Sequence, residues 1–384
     1  METAAADNID RLEIAGRVRE ALAGLMDIER YAWDERGALT LRGQLSGPAR
    51  TVYRAIRSRL EALGFTPFLR RSEGRDELIA VPGVIVHRPS RVWLPVVLFL
   101  ATILTVLMTG ALYERREPIT SEAELLRVLI GMLRRPAELL PGLPFAATLL
   151  GILFTHEMGH YIVGRLRRAP VSLPYVIPIP PGISFTGTMG AVIVQRAPME
   201  DRQTLLEVGI AGPLAGLAVA IPLLFYGLAT SPVGPPPAGG YVQEGNSLLY
   251  IAMKWLVFGR YLPSGGVDVQ LNAVAWGAWI GLLVTMLNLL PVGQLDGGHV
   301  AYALLGRSAM YVAYAMIALC LALGLLVSSS WLIWALLILV LGPRHPPPLN
   351  DIPDLDRRHQ ALAIFGLLVF VLLLTPAPLT IVGP

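Results

Sequence analysis

The chain has 384 residues, of which 54% are hydrophobic and 15% charged, with a formal net charge of +3. A charged share that far below the roughly 25% of soluble domains excludes an ordinary soluble protein and points to several membrane passes. The small positive excess is almost all arginine, with Lys254 the single lysine; loops at a membrane surface account for it, and no nucleic acid is called for.

Residues 1–91 differ in character from the rest. The opening METAAADNIDRLEIAG is acidic and has no apolar core, so no cleavable signal peptide is expected, and the first apolar segment should act as an uncleaved anchor. Ala38 to Leu45 alternates apolar and polar residues, which predicts a strand. Val52, Ala55, Ile56, Leu60 and Leu63 fall at helical spacing and predict a helix over 48–63. Phe65–Leu69 and Glu77–Val81 read as two more strands around the turn Ser72-Glu73-Gly74. The expectation is a small soluble α+β domain, serving either as an inert cap or as a dock for substrate or regulator.

Residues 92–142 read as a first transmembrane helix and a surface connector. Val92 to Tyr113 has the roughly 20 residues that a bilayer core requires. Within the connector, 122–133 is amphipathic and suits the membrane surface.

Leu143 to Leu166 is the second predicted span. It carries F-T-H-E-M-G-H-Y at 154–161. On a helix, positions i and i+4 share a face, so His156 and His160 point the same way and can grip one Zn²⁺ at about 2.0–2.1 Å each. Glu157 is beside them, where a carboxylate can take a proton from water and pass it to a leaving amine. A satisfied structural pair of histidines is the competing reading. The cost of burying His and Glu at bilayer depth without a task weighs against it. Arg165, Arg167 and Arg168 follow at once, which puts this end on the cytoplasmic side and the motif a few turns below it. The arginines of the connector (Arg115, Arg116, Arg127, Arg134 and Arg135) make it unusually basic for an outside loop, and a membrane-surface helix only eases that conflict.

Ala169 to Arg196 is rich in proline, glycine and β-branched residues. Repeated proline forbids a helix, while 187–195 has strand propensity. Non-helical backbone at membrane depth requires cover by protein or water. The stretch therefore reads as a re-entrant β-hairpin over the metal site, with an open strand edge for an extended substrate. An ordinary amphipathic cytoplasmic loop is the alternative.

Leu205 to Leu228 is the third span. Its G-I-A-G-P-L-A-G run, Gly209 to Gly216, reads as close helix packing with no chemistry in it. The link 229–270 is rich in Pro and Gly, is expected outside, and holds one apolar patch at 248–258 too short to span. Leu271 to Leu290 is the fourth span and leads into N-L-L-P-V-G-Q-L-D-G-G-H, 288–299. Pro291 and the glycines break the helix there, leaving Asn288, Asp296 and His299 on or near irregular backbone at the level of the metal motif. Catalytic zinc usually takes three protein ligands, and Asp296 is the obvious third. It could instead cap a helix or pair with arginine. Apolar segments at 300–326, 331–341 and 361–374 complete a count of about seven spans, with the N-terminal domain inside and the C-terminus outside. The lone Cys320, flanked by Leu and Ala, excludes a disulfide framework and a cysteine zinc site, and it reads as a small core residue.

Taken together, F-T-H-E-M-G-H in one span and N-L-L-P-V-G-Q-L-D-G-G in a later one resemble the site-2 proteases, which are intramembrane zinc metalloproteases. T-G-T-M-G-A and R-H-P-P-P resemble the branch holding the plant chloroplast gravitropism-deficient, yellow-green proteases and their bacterial relatives. The likeness is strong over about 143–300 and weak in the tail. It implies an all-α polytopic membrane protein with a metalloprotease core at 143–300 and C-terminal transmembrane helices at 301–384. It implies Zn²⁺ held by His156, His160 and Asp296, with Glu157 as general base and Asn288 holding substrate or oxyanion. Gly187, Thr188, Met189, Gly190, Ala191 and Val192 would clamp substrate as a strand. The partners implied are a transmembrane protein substrate and the lipid bilayer, with a second copy of the chain left open, and the setting is the bacterial cell (inner) membrane. No inserted PDZ domain and no appended nucleotide-sensing pair is read, and residues 1–91 stand in their place. A metal-binding transporter and a catalytically silent protease-like binding protein are the rival functions.

Overall fold

The charged first stretch folds as helix α1 (Glu2–Ala21), strands β1 (Met26–Trp33) and β2 (Leu39–Leu45), helix α2 (Ala49–Ala62), and strands β3 (Phe65–Ser72) and β4 (Arg75–Pro82). The computed structural model describes residues 2–85, 92–115, 117, 119–237 and 239–383. The domain boundary expected at residue 91 and Arg116 of the connector lie outside the described residues.

The chain divides into two compact units. In the first, the strands pair antiparallel in the order β1-β2-β4-β3. Alternation along β2 sends Leu39 and Leu41 to one face, where they meet Leu69 and Leu78 and the stripe Val52, Tyr53, Ile56 and Leu60 of α2. Ser72 and Arg75 face each other across a two-residue turn whose Glu73 and Gly74 have φ of 53° and 76°. Two left-handed residues match the twist of a tight hairpin. Two later stretches, Arg196–Leu205 and Pro346–Gln360, belong to this unit. Leu69 N–H donates to the Leu349 carbonyl at 2.7 Å and Asp351 N–H to the Leu69 carbonyl at 2.8 Å. The segment around Asn350 thus runs parallel to β3 and covers that edge of the sheet. Asn350 N–H in turn donates to the Glu200 carbonyl, and Arg202 Nε donates to Asp351 at 2.7 Å.

The second unit opens with α3 (Trp93–Tyr113), α4 (Glu122–Arg134) and, after a 3-10 turn, α5 (Leu143–Leu166). Ser121 caps α4 by accepting from Glu124 N–H, as its polar start requires. A short ribbon follows, β5 (Tyr175–Pro178) antiparallel to β6 (Thr188–Val192), and then α6 (Arg202–Ala229), whose first turn still lies in the first unit. Next come β7 (Val233–Gly234), β8 (Tyr241–Glu244), α7 (Leu248–Phe258), β9 (Asp268–Val269) and α8 (Ala273–Asn288). The chain ends with α9 (Asp296–Leu305), α10 (Ala309–Leu326), α11 (Ser330–Leu341), α12 (Arg357–Leu373) and β10 (Leu379–Val382).

Among the described residues, four helical segments are long and apolar enough to cross a membrane: Trp93–Tyr113, Pro136–Leu166, Arg202–Ala229 and Asp296–Leu326. That is fewer than the seven apolar runs of the sequence. The reason lies in helix ends. The run 271–290 yields only the 16-residue α8, because its last residues belong to the turn around Pro291. α11 has 12 residues, and the 17-residue α12 opens on Arg357-Arg358-His359. α5 and α8 approach closely through glycine: a Cβ on Gly281 would lie 2.7 Å from Ile152.

Candidate metal centre

His156 and His160 come from consecutive turns of α5, and their ring centroids are 5.0 Å apart. Both are buried, as is Glu157 between them. Asp296 arrives from the tight turn between α8 and α9. Gly293 there has φ of 53°. A Cβ on Gly297 would lie 1.9 Å from the Leu289 carbonyl oxygen, and one on Gly298 2.3 Å from that of Gly293. Side chains at either position would push the start of α9 away, so the two glycines after Asp296 are what let its carboxylate reach α5.

Asp296 Oδ2 lies 3.1 Å from His156 Nε2 and 3.2 Å from His160 Nε2. One ligand atom from each of the three residues falls within 4.8 Å of the others. With zinc bonds of about 2.0–2.1 Å, the edges of a tetrahedral site are about 3.3–3.4 Å, so the group is the right size for one ion. The tautomer also fits. His160 Nδ1 faces the Val208 carbonyl at 2.6 Å, so Nδ1–H donates and Nε2 keeps its lone pair for a metal. Pro213 sits inside α6 and has no N–H to donate to the Gly209 carbonyl, next to Val208.

Asn288, the last residue of α8, holds its Nδ2 3.4 Å from His156 Nε2. The stretch 187–192 forms strand β6 of the ribbon. Met189 is 71% and Val192 49% exposed, while Thr188 is buried. Among the described strands β6 pairs only with β5. Its backbone is tied to α3, with Thr102 Oγ1 donating to the Val176 carbonyl at 3.1 Å and Thr105 Oγ1 to that of Gly187 at 2.7 Å. His299 is one turn into α9, with Nδ1 2.6 Å from His345 Nε2.

The glycines of α6 are the residues that sequence reading undervalued. A Cβ on Gly212 would lie 2.1 Å from His160 Nε2, and one on Gly216 3.2 Å from His156. The run read as simple helix packing in fact packs against the imidazoles themselves. Its spacing announces a close approach but not the partner.

Residues 144–327 match peptidase family M50. Over those residues the chain carries a site-2 protease domain. It is 31% identical over 240 residues to the probable zinc metalloprotease EGY1, chloroplastic, of Arabidopsis thaliana, covering 61% of this chain and 43% of that one. To the probable zinc metalloprotease EGY2, chloroplastic, of the same plant it is 30% identical over 363 residues, covering 90% of this chain and 62% of the relative. The EGY1 protein of Oryza sativa subsp. japonica is 31% identical over 247 residues, with 61% and 40% covered. The chain thus spans about two-fifths of the EGY1 proteins it matches. No solved structure matches it. Four helices of spanning length among the described residues, together with this peptidase domain, make the chain an integral membrane protein.

Proposed function

We propose that the chain is a zinc-dependent endopeptidase that cuts a transmembrane segment of another protein near the cytoplasmic face. The observation that carries this is the convergence of His156 Nε2 and His160 Nε2 on one oxygen of Asp296, with Glu157 adjacent, inside a span-length helix. His156, His160 and Asp296 would hold the ion. When bound, zinc supplies Lewis acidity, polarising the scissile carbonyl and making water a better nucleophile near neutral pH. Glu157 takes the proton of the attacking water and delivers it to the leaving amine as the C–N bond breaks. Asn288, with its amide at the edge of the group, donates to the substrate carbonyl oxygen as negative charge builds on it. The free edge of β6 binds the unwound substrate as an added strand, offsetting the helical hydrogen bonds that it gives up.

The ribbon is read as re-entrant. Its hydrogen bonds to Thr102 and Thr105, mid-way along α3, support that depth. Seven passes are supported by the turns of the shorter helices: Trp331 Nε1 at the start of α11 donates to the Pro376 carbonyl after α12, while Gly342 past its end abuts Gly293 beside the metal turn. The arginines after α5 support a cytoplasmic setting for that end; residues 1–91 are proposed to lie on the same side, in a bacterial cell membrane.

The test is metal analysis joined to a cleavage assay on membrane-protein substrates. Wild-type protein should carry one zinc and cleave. Glu157→Gln should carry zinc and not cleave. A Glu157→Gln protein that still cleaves, or still moves an ion across a vesicle membrane as its sole activity, would sink the protease reading.

A further inference from the structure

The second unit holds a half-open cavity of about 780 Å³ that has no part in the metal group. Phe145 lines it, three turns before His156 on α5, so the cavity lies about 16 Å from the histidines along that helix. Trp276 lines it three turns before Asn288 on α8, which gives a similar separation. Its volume is that of an ordinary ligand site, which runs from about 300 to 1,000 Å³.

The walls have a definite chemistry. Tyr113 meets Phe145 edge-on at 5.4 Å between ring centroids and Trp276 at 6.1 Å, forming an aromatic corner. Glu114, Glu244 and Asp268 also line the cavity, and among the described residues no Lys, Arg or His does. Lys254 is fully buried behind the wall, 3.2 Å from Glu244 and 3.3 Å from Asp268. One ammonium against those two carboxylates leaves a negative charge, and Glu114 adds another. Anions are therefore disfavoured, while a cation gains both from the carboxylates and from the aromatic faces. Strands β8 and β9 supply much of the remaining wall. Among the described strands β8 pairs only with β10 and β9 only with β7, so each has one edge with backbone groups available to an extended chain. An isolated amine would use the charge and ignore the edges. A peptide uses both.

We propose that this cavity binds a short extended polypeptide segment bearing a lysine or arginine, the flank of the protein substrate on the side of the membrane away from the metal group. That the segment belongs to the substrate rests on the protease reading; that the cavity takes a cationic peptide does not. Tyr113 links the two places, since its hydroxyl donates to the Phe185 carbonyl in the loop between β5 and β6 while its ring forms the cavity corner.

The full-length protein in a non-ionic maltoside detergent is titrated with acetyl-Val-Thr-Arg-Val-Thr-amide and with the same peptide carrying citrulline for arginine. Calorimetry should detect the arginine peptide binding at least tenfold more tightly than the citrulline one. Trp276→Leu should weaken it about tenfold and Glu114→Gln about threefold; the second change is on an exposed side chain and leaves the fold intact. Equal affinity for the two peptides, or affinity untouched by Glu114→Gln, overturns the proposal. So does displacement of the peptide by an equal concentration of phosphocholine, which would mark a lipid-headgroup site. For the substrate claim, changing an arginine in that flank to glutamine should raise KM about tenfold with kcat unchanged. An unchanged KM rejects the substrate claim. Failure of wild-type protein to cleave either substrate counts against the protease reading, and the peptide titration then decides the cavity on its own.

Discussion

The α-carbon of Gly212 faces the imidazole of His160 so closely that a methyl group placed on it would lie 2.1 Å from Nε2. Helix α6 is thus the wall against which one of the ligand rings rests. Gly212→Ala should displace the ring, and zinc affinity should fall by at least the roughly 10–100-fold typical of losing an outer-shell partner. Gly151→Ala is the control. It lies on α5 itself, where a Cβ would meet nothing within 4 Å, and zinc content and cleavage should both stay at the wild-type level. Equal zinc content in the two variants would show that the ring is not held this way.

Removing the carboxylate charge is the sharper change. Asp296→Asn keeps the shape and leaves an amide oxygen, a much weaker ligand for zinc. Two histidines alone make a poor catalytic site, so zinc affinity should drop by more than an outer-shell change costs. Competition with a chromophoric chelator measures it. Retained wild-type affinity would remove Asp296 from the ligand set.

His156 and His160 reveal each other through their four-residue spacing, which a helix turns into a shared face. Nothing of the kind ties them to Asp296, 140 residues after His156. Only the turn around Pro291 and its glycines, folded, brings the carboxylate in. The amphipathic pattern of α2 and the alternation of β2 were legible because each has a single buried face. Strand β1 was not, since most of its residues are exposed at the sheet edge and carry no period. α1 buries Ala15 and Val18, with Leu22 just past its end, but so short a stripe within a charged run stands out little. The covering of β3 by the segment around Asn350 had no signal at all, because a strand of so few residues, tied by long-range backbone hydrogen bonds, carries no pattern of its own.

In the first unit, Glu77 is buried and accepts from both Arg42 and Arg70. Burial pushes its carboxyl pKa up, but the two guanidiniums outweigh that and hold it below the usual carboxylate value. A folded pKa below the unfolded one means that the stabilisation is present above the unfolded value and is lost as pH falls through the folded one. Amide exchange in β2 and β4 of the full chain should therefore quicken, after correction for intrinsic rates, as pH drops below about 4. Glu77→Gln should lower the local stability by about 1–3 kcal/mol at pH 7 and remove most of the acid sensitivity. Identical pH profiles for the two proteins would show that Glu77 is not its source.

The hairpin can be tested apart from the metal. Gly187 has φ of 76° and sits where a Cβ would lie 2.6 Å from Thr109 Oγ1 and 2.7 Å from the Thr105 carbonyl oxygen. An alanine there meets both a disfavoured backbone and a collision with α3, so β6 should be displaced from that helix. Because none of the three metal-group residues lies in the ribbon, Gly187→Ala should keep a full complement of zinc while cleavage of a membrane-spanning substrate falls. The loss should appear mainly as a higher KM, since a strand edge that binds substrate contributes before the chemical step. Thr105→Val removes the hydroxyl that donates to the Gly187 carbonyl without adding bulk, and it should move KM in the same direction by less. If Gly187→Ala lost zinc, or lowered kcat with KM unchanged, β6 would be a structural brace of the metal group and not the strand that receives substrate.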